Sequence, residues 1–472
     1  MDAGGSLRER GRRDGSSKSD DHSNPRAEAK DIKDGDAADG HCRKIYGIIF
    51  VILLIDLLAF TSILPLMPAL LDFYGKDGQD VTYNVIQQCI AKLQTFLGIA
   101  DLQKFSSVLY GGILGSLFSL LQFLASPLVG ALSDVYGRKP LLLLTTSGIA
   151  VSYLIWALSS SFTMFIVARI VMGLSKGNIG LGTAVVTDVS TVQTRGKGMA
   201  LVGVAFSVGF IVGPMIGALF SSYAQRNNLS LFYIYAALFA LVLEVADLLV
   251  VWFALPETLP KHKRAKSLIH NLKEAVYLID PRHLFNFTAV KDLSNADRVW
   301  IRKIGLTNFL FLFFFSGLEF TLTFLTHTRF NYTSMQQGRL FLFVGIIMIL
   351  VQGGFVRRLK PGSEKRTALM GLALVVPAFV IIGIANSQGV MYFGLCLYSF
   401  GSSTVVPCLM TMISKYGRDD QKGTIMGIFR SLGAFARATG VLPASVLYWI
   451  LGPTFTYCIG GLMLLLPFCV LK

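Results

Sequence analysis

Long apolar runs, separated by short polar loops, make up most of the chain after its first 40 or so residues. A helix needs about 20 residues to cross roughly 30 Å of hydrocarbon. Twelve runs reach that length, and the pattern predicts an all-α integral membrane protein with twelve transmembrane helices in two six-helix bundles. We place the helices at residues 45–71, 105–132, 140–159, 162–186, 199–222, 231–255, 303–326, 338–357, 366–386, 389–413, 424–447 and 452–471.

The segments between these runs define the domains. Residues 1–43 mix acids and bases with Gly and Ser, which predicts a disordered tail because too little apolar surface offsets the ordering entropy. An N-terminal bundle at 44–255, a central loop at 256–302 and a C-terminal bundle at 303–472 follow. Apolar side chains recur through the loop 72–104, which predicts a short amphipathic helix there.

Composition and charge support the membrane assignment. The chain is 53% hydrophobic and 15% charged, whereas soluble domains carry about 25% charged residues. The net charge of +15 is spread over many short loops, which favours membrane orientation over nucleic-acid binding. Most bases follow the even-numbered helices or lie in the central loop, so we expect both termini in the cytoplasm. The plasma membrane is the expected compartment, with an endomembrane and the nuclear envelope as open alternatives.

No catalytic constellation appears in the sequence. The six cysteines have no metal-ligand spacing, and most lie inside apolar runs. No nucleophile elbow, phosphate-binding loop or metal-spaced histidine pair is present. We therefore expect no enzymatic activity, no metal and no cofactor.

The loop between predicted helices 2 and 3 reads GALSDVYGRK at residues 130–139. It includes Asp134, Gly137, Arg138 and Lys139, which place an acid and two bases between closely connected antiparallel helices. This loop resembles the signature loop of the major facilitator superfamily. The resemblance implies that these four residues act in gating, although Val135 stands where many relatives have Arg.

Further motifs carry the same resemblance. Arg169 and Gly173 in helix 4 resemble an intramembrane Arg motif, and residues 353–358 resemble a second signature loop. Gly213 and Pro214 in helix 5 resemble the Gly-Pro motif of drug:proton antiporters, and this resemblance implies that both residues act in gating. The amino-acid sequences of helices 1, 4, 7 and 11 resemble those of animal tetracycline transporter-like proteins. The resemblance implies two pseudo-symmetric bundles around a cavity, alternating access in a monomer, and organic anions as substrates.

Ionisable residues inside predicted helices mark candidate sites because an ionised group in hydrocarbon costs at least ~2.5–3.5 kcal/mol on insertion scales. Asp56 in helix 1 and Glu319 in helix 7 are candidate proton carriers, and the motif resemblance gives Arg169 a coupling or gating role. Each has a structural alternative: a packing hydrogen bond for Asp56, or an ion pair with a helix 11 arginine for Glu319. We assign a structural role to Glu244 and Asp247 in helix 6.

Deep cations and an aromatic form the predicted anion site. Helical spacing places Arg169 and Lys176 on one face, and Lys176 is the preferred substrate contact. Arg430 and Arg437 in helix 11 present guanidinium forks suited to carboxylates or sulfonates, with Phe60 as an apolar contact. In the alternative, these cations neutralise buried acids such as Asp56 and Glu319.

The sequence thus favours a transporter that moves amphipathic organic anions by alternating access, in exchange for a proton. Two alternatives stay open: a drug or cation antiporter of the tetracycline-resistance type, and a membrane sensor or scaffold that does not transport. The serine-rich stretch 399–403 with Pro407 predicts unwinding in helix 10.

Overall fold

The computed structural model describes residues 25–76, 80–97, 106–191, 194–227, 232–265, 267–290, 293–360, 362–416 and 422–472. The regular secondary structure of these residues is helical throughout. The N-terminal half contains α1 (Pro25–Thr61), α2 (Met67–Lys76), α3 (Val81–Leu97), α4 (Ser106–Tyr136), α5 (Arg138–Ala157), α6 (Phe162–Ser175), α7 (Asn178–Val189), α8 (Arg195–Arg226) and α9 (Phe232–Phe253).

The remaining helices belong to the central segment and the C-terminal half. They are α10 (Leu268–Tyr277), α11 (Pro281–Asn286), α12 (Asn295–Phe330), α13 (Ser334–Leu350), α14 (Glu364–Ile384), α15 (Gln388–Ile413), α16 (Lys422–Met463) and α17 (Leu465–Leu471). Two compact units are distinguished, residues 1–44 and 45–472.

Eleven helical segments of the described residues are long and apolar enough to cross a membrane. The last of them, Thr424–Leu471, has 48 residues, which is enough for two crossings of about 20 residues each. Gly452 inside it has φ 73° and ψ 176°, so the helix is broken there. The break falls where the sequence predicts helix 12 to begin, and the segments are consistent with twelve crossings.

The first unit differs from its predicted disorder where it is described. Helix α1 already begins at Pro25, whereas the composition predicts a tail without structure up to residue 43. Proline is well tolerated at a helix start, and the Ala, Glu and Lys residues that follow are strong helix formers. The rest of the predicted tail, residues 1–24, lies outside the described residues.

The predicted helix 4 is two helices in the structure, and the predicted unwinding of helix 10 is wrong. Helix α6 ends at Ser175, Lys176 has ψ 50°, and α7 begins at Asn178. Helix α15 instead continues past its serines, because Ser399 Oγ donates to Leu395 O at 2.7 Å and Ser403 Oγ to Ser399 O at 2.6 Å. These hydroxyls are therefore satisfied inside the helix.

The two halves contact each other through two symmetry-related helix pairs. Helix α4 packs on α16, and α8 packs on α13. In the order of crossings these are the second with the eleventh and the fifth with the eighth, so each pair maps onto the other when the halves are exchanged. This pairing is what two pseudo-symmetric bundles require.

The segment predicted as an amphipathic helix is confirmed as α3, and Asp80 fastens it to α6. Asp80 accepts hydrogen bonds from Tyr83 N at 3.0 Å and from Thr163 N and Oγ1 at 2.9 Å each. Burial raises the pKa of Asp80, but these hydrogen bonds outweigh it and hold the pKa below its ordinary value. Their stabilisation is present above the ordinary carboxyl pKa and is lost as the pH falls through the lowered one.

Candidate functional site

Arg138 is the centre of a charged cluster at the end of the bundle where the signature loop lies, which we call the basic end. Its guanidinium binds Asp134 Oδ1 at 2.7 Å and Asp188 Oδ2, at the end of α7, at 2.8 Å. It also donates to Ser133 Oγ at 2.5 Å. One side chain therefore connects α4, α5 and α7.

Glu257, just after α9, completes this cluster. Its carboxylate accepts Arg138 N at 3.0 Å and Lys139 N at 3.3 Å, the first amides of α5. A carboxylate at a helix N-terminus is stabilised by the unpaired amides and the helix dipole. Arg264 lies 3.5 Å from Glu257, and Lys139 Nζ donates to Trp252 O at 2.7 Å. The predicted gating residues are thus held together by two acids, Asp188 and Glu257, that the sequence motif did not include.

The Gly137→Ala substitution is expected to lower the free energy of unfolding by about 1–3 kcal/mol. Gly137 has φ 108°, and an added Cβ would lie 2.7 Å from Arg264 Nη2 and would also meet Glu257. Gly130→Ala is the matched control, because nothing lies within 4 Å of its Cβ position. Thermal unfolding of the purified variants measures both, and equal stability of the two would contradict this account of the cluster.

The second half has a related ion pair with the charges exchanged. Glu364, at the start of α14, binds Lys415, just after α15, at 2.7 Å. Arg138 and Asp188 occupy the matching ends of α5 and α7 in the first half. The basic end therefore carries an ion pair in each half, although the second signature loop at 353–358 is only a π and 3₁₀ turn.

Lys176 and Asp56 form a buried ion pair at the break between α6 and α7. Lys176 Nζ binds Asp56 Oδ1, and the two residues are 2% and 0% exposed. The ammonium also lies 4.9 Å from the ring centre of Phe60, which is half-buried and stacks on Phe118. This is the arrangement of the structural alternative, in which the cation neutralises Asp56.

Arg169 lies in α6, and Lys176 is the residue at which that helix ends. Its guanidinium carbon lies 5.0 Å from the Phe165 ring centre and 5.8 Å from that of Trp156. Tyr153 of α5 is within electrostatic range of Arg169, Asp56 and Glu244. Arg169 is therefore held in an aromatic environment, and Tyr153 interacts electrostatically with both Arg169 and Asp56.

Two further acids approach this pair from α9. Glu244 and Asp247 are both 0% exposed, and their four carboxyl oxygens have no hydrogen-bond partner. Both interact electrostatically with Asp56 and Lys176. The sequence shows that Glu244 and Asp247 are three positions apart and so lie on one face of α9. Only the packed structure brings these two acids within electrostatic range of Asp56.

In the second half, Glu319 and Arg437 are two exposed ionisable side chains on membrane helices. Glu319 accepts a hydrogen bond from Tyr398 Oη at 2.6 Å, and Tyr398 itself is 3% exposed. Glu319 and Arg437 attract each other and are both solvent-accessible, although they lie midway along α12 and α16, which pack together. Ionisable groups in membrane helices usually face the bundle interior or water, and the exposure of these two side chains agrees with that tendency.

Arg430 lies one heptad before Arg437 and reaches across to the first half. Its Nη1 donates to Thr183 Oγ1 of α7 at 2.7 Å. Nearby, the rings of Phe123 and Phe435 have centres 5.2 Å apart. Arg430 therefore connects the two halves near the basic end. The sequence did not indicate its contact with Thr183.

The opposite end has its own contact between the halves. His327 Nε2 of α12 lies 3.1 Å from Asp72 Oδ2 of α2. Beside it is a cavity of about 190 Å³, lined by Pro65, Ala69, His327, Asn331, Tyr332, Thr333, Ser334 and Gln337. The two halves therefore contact each other both at the Arg430–Thr183 hydrogen bond and at the His327–Asp72 pair.

The Gly-Pro motif places α8 between the two halves. A Cβ on Gly213 would meet Thr61 Oγ1 and lie 3.0 Å from Leu58 O of α1. On the other side, Pro214 O would lie 3.3 Å from a Cβ on Gly338 of α13. Glycine allows this close backbone approach, so the motif sets how near α8 lies to helices of both halves.

Comparison with known proteins identifies the family. The family model described as the Major Facilitator Superfamily matches residues 49–441. The chain belongs to the major facilitator superfamily. It is 45% identical over 434 residues to human major facilitator superfamily domain-containing protein 10, covering 91% of this chain and 93% of that protein.

The fold comparison agrees with the sequence comparison. The crystal structure of the human organic anion transporter MFSD10 (TETRAN) matches with a TM-score of 0.76 and 44% identity, covering 91% of this chain and 99% of that chain. The class B tetracycline resistance protein of Escherichia coli is 26% identical over 430 residues, covering 87% of this chain and 93% of that protein. The predictions of the superfamily, of its all-helical fold and of a transporter rather than an enzyme are confirmed.

Proposed function

We propose that this transporter moves organic anions across the membrane by alternating access and couples that movement to protons. The observation that carries the proposal is the accessible guanidinium of Arg437 midway along α16. Within the described part of the chain, this guanidinium forms no hydrogen bond and only attracts Glu319 from a distance. Such a group is available to a carboxylate or sulfonate. The human protein that is 45% identical to this chain is described as an organic anion transporter, which supports the same substrate class.

Arg430 and Phe60 extend this proposed anion site towards the first half. Arg430 is half-buried, and the partner it has among the described residues is the neutral hydroxyl of Thr183. An anionic oxygen would displace that hydroxyl readily, because charge-assisted bonds are the stronger. Phe60 offers an aromatic surface beside Lys176. An amphipathic anion is therefore proposed to place its acid on the arginines and its apolar body near Phe60.

Proton coupling is proposed at Asp56, with Glu319 as a second carrier. When Asp56 takes up a proton, Lys176 loses its counterion and becomes free to hold the anion. Loss of the proton restores the buried pair and releases the anion. Arg169 is proposed to act on this exchange through Tyr153, which interacts with both Arg169 and Asp56.

The gating role is proposed for the basic-end cluster of Asp134, Gly137, Arg138 and Lys139. Its ion pairs hold α4, α5 and α7 together and would move as one body when the halves separate. The close contacts at Gly213 and Pro214 would then form the surface on which α8 moves. We propose a monomer in the plasma membrane with both termini in the cytoplasm.

Transport by purified protein in liposomes tests the function. In the scheme above one proton moves with each anion in the same direction, and not in exchange as the sequence alone suggested. We therefore expect uptake of a carboxylated dye such as fluorescein, with about tenfold accumulation for each pH unit of imposed gradient. Rhodamine 6G, as a cation, and tetracycline serve as competitors. Transport of the cation instead of the anion would establish the antiporter alternative, and binding without flux would establish the sensor alternative.

A further inference from the structure

Glu244 and Asp247 are buried in the first half without any of the partners that buried carboxylates need. Each residue is 0% exposed, and none of their four carboxyl oxygens accepts a hydrogen bond. An ionised carboxylate buried without a partner costs several kcal/mol, whereas the neutral acid costs much less. Lys176, the ammonium that interacts with both acids in the described part of the chain, is already paired with Asp56.

The surroundings of the two acids are polar and also incompletely bonded. Among the residues that the structure describes, Tyr153 Oη and the second carboxyl oxygen of Asp56 are buried without hydrogen-bond partners. Tyr153 interacts electrostatically with Glu244 and with Asp56. Unbonded buried polar atoms in such number require an occupant or a function.

Charge balance and geometry favour protons as that occupant. Asp56, Glu244 and Asp247 would carry three negative charges against the single charge of Lys176 if all were ionised. The described residues contain no group of three or more acidic, histidine or cysteine side chains placed to hold a metal ion. Two protons bound to the three carboxyls make the cluster neutral without any metal.

We propose that Glu244 and Asp247 form an internal proton-binding site that supplies Asp56 during transport. This inference rests on the proposed coupling at Asp56. As an anion binds Lys176, the Tyr153 hydroxyl gives its proton to the Asp56 carboxylate and takes the proton of the Glu244 carboxyl, since Tyr153 lies within electrostatic range of both acids. Glu244 is then reprotonated from the aqueous side, so that one proton enters for each anion bound, and Asp247 keeps its own proton beside it.

Infrared difference spectroscopy and pH-driven uptake test the site on the full chain. In wild-type protein we expect a carboxylic-acid C=O band that persists at neutral pH, and a rate of fluorescein uptake that depends on pH. Glu244→Gln is expected to remove part of the band, to flatten the pH profile and to reduce accumulation from about tenfold to about onefold per pH unit. Glu244→Asp should restore both the band and the pH dependence.

Controls separate this site from general damage and from the proposed function. Asp280→Asn alters a carboxyl that caps α11 and should change neither readout. If Asp247→Asn and Glu244→Gln both keep the full band and the wild-type pH profile, the inference is wrong and the coupling at Asp56 stands. If wild-type uptake ignores the pH gradient, the coupling itself fails. Uptake driven by a sodium gradient and abolished by Glu244→Gln would replace the proton site with a cation site.

Discussion

Substitution of Arg437 by Gln is expected to slow fluorescein uptake by about 30-fold in proteoliposomes. A hydrogen bond to a charged group contributes about 2 kcal/mol, which corresponds to that factor. Gln keeps part of the side-chain volume and polarity but removes the positive charge from the accessible surface shared with Glu319. Initial rates at a fixed external concentration and equal protein density measure the effect.

Two controls distinguish loss of the anion contact from loss of charge or fold. Arg339→Gln removes one exposed guanidinium from α13 and should leave the rate within about twofold of wild type. Arg437→Lys keeps the charge but loses the planar fork, so uptake should fall less than with Gln. Equal rates for Arg437→Gln and Arg339→Gln would show that the anion does not bind at Arg437.

The second large effect is expected at the buried ion pair. Asp56→Asn should lower the free energy of unfolding by about 3–5 kcal/mol, because it leaves the Lys176 ammonium buried and unpaired. Lys176→Gln should have a similar cost, and the double substitution Asp56→Asn with Lys176→Gln should regain most of it. Unfolding by denaturant in detergent, analysed as a double-mutant cycle, gives the interaction energy.

The same cycle on the Glu364–Lys415 pair supplies a matched control. The Lys415 side chain is 49% exposed, so its coupling to Glu364 should be about 1 kcal/mol or less. Transport adds a second readout, because the Asp56→Asn and Lys176→Gln double variant should fold yet lose accumulation driven by a pH gradient. A coupling energy near zero at Asp56–Lys176, or pH-driven accumulation by the double variant, would contradict the role given to this pair.

The positions of the membrane helices follow from the sequence because the bilayer imposes a length and a composition on each crossing. Helix α9 shows the corresponding limit. Its length and apolarity identify a crossing, and the spacing of Glu244 and Asp247 places them on one face. A helix that is apolar nearly all round does not indicate which face meets lipid and which meets other helices. Packing against α5 and α8 decides that, and it turns the acids towards Asp56.

The broken helix 4 shows the same division in backbone structure. The serines of α15 predicted a break that the structure lacks, since each hydroxyl finds a carbonyl one turn earlier in its own helix. The break at Lys176 instead coincides with a side chain bound to Asp56 on another helix, and no local pattern specified that partner.

The sequence by itself determined the superfamily, the membrane crossings and which ionisable residues lie inside them, because these depend on local composition and short motifs. Only the tertiary structure decided which partner each charged side chain has. Lys176 pairs with Asp56 and Arg138 with Asp188, whereas Glu319 bonds to the Tyr398 hydroxyl and Arg430 to the Thr183 hydroxyl. Each pair joins residues 50 to 247 positions apart in the chain. Such contacts depend on how rotated helices pack against one another, and electrostatic attraction in a low-dielectric interior then fixes the partners.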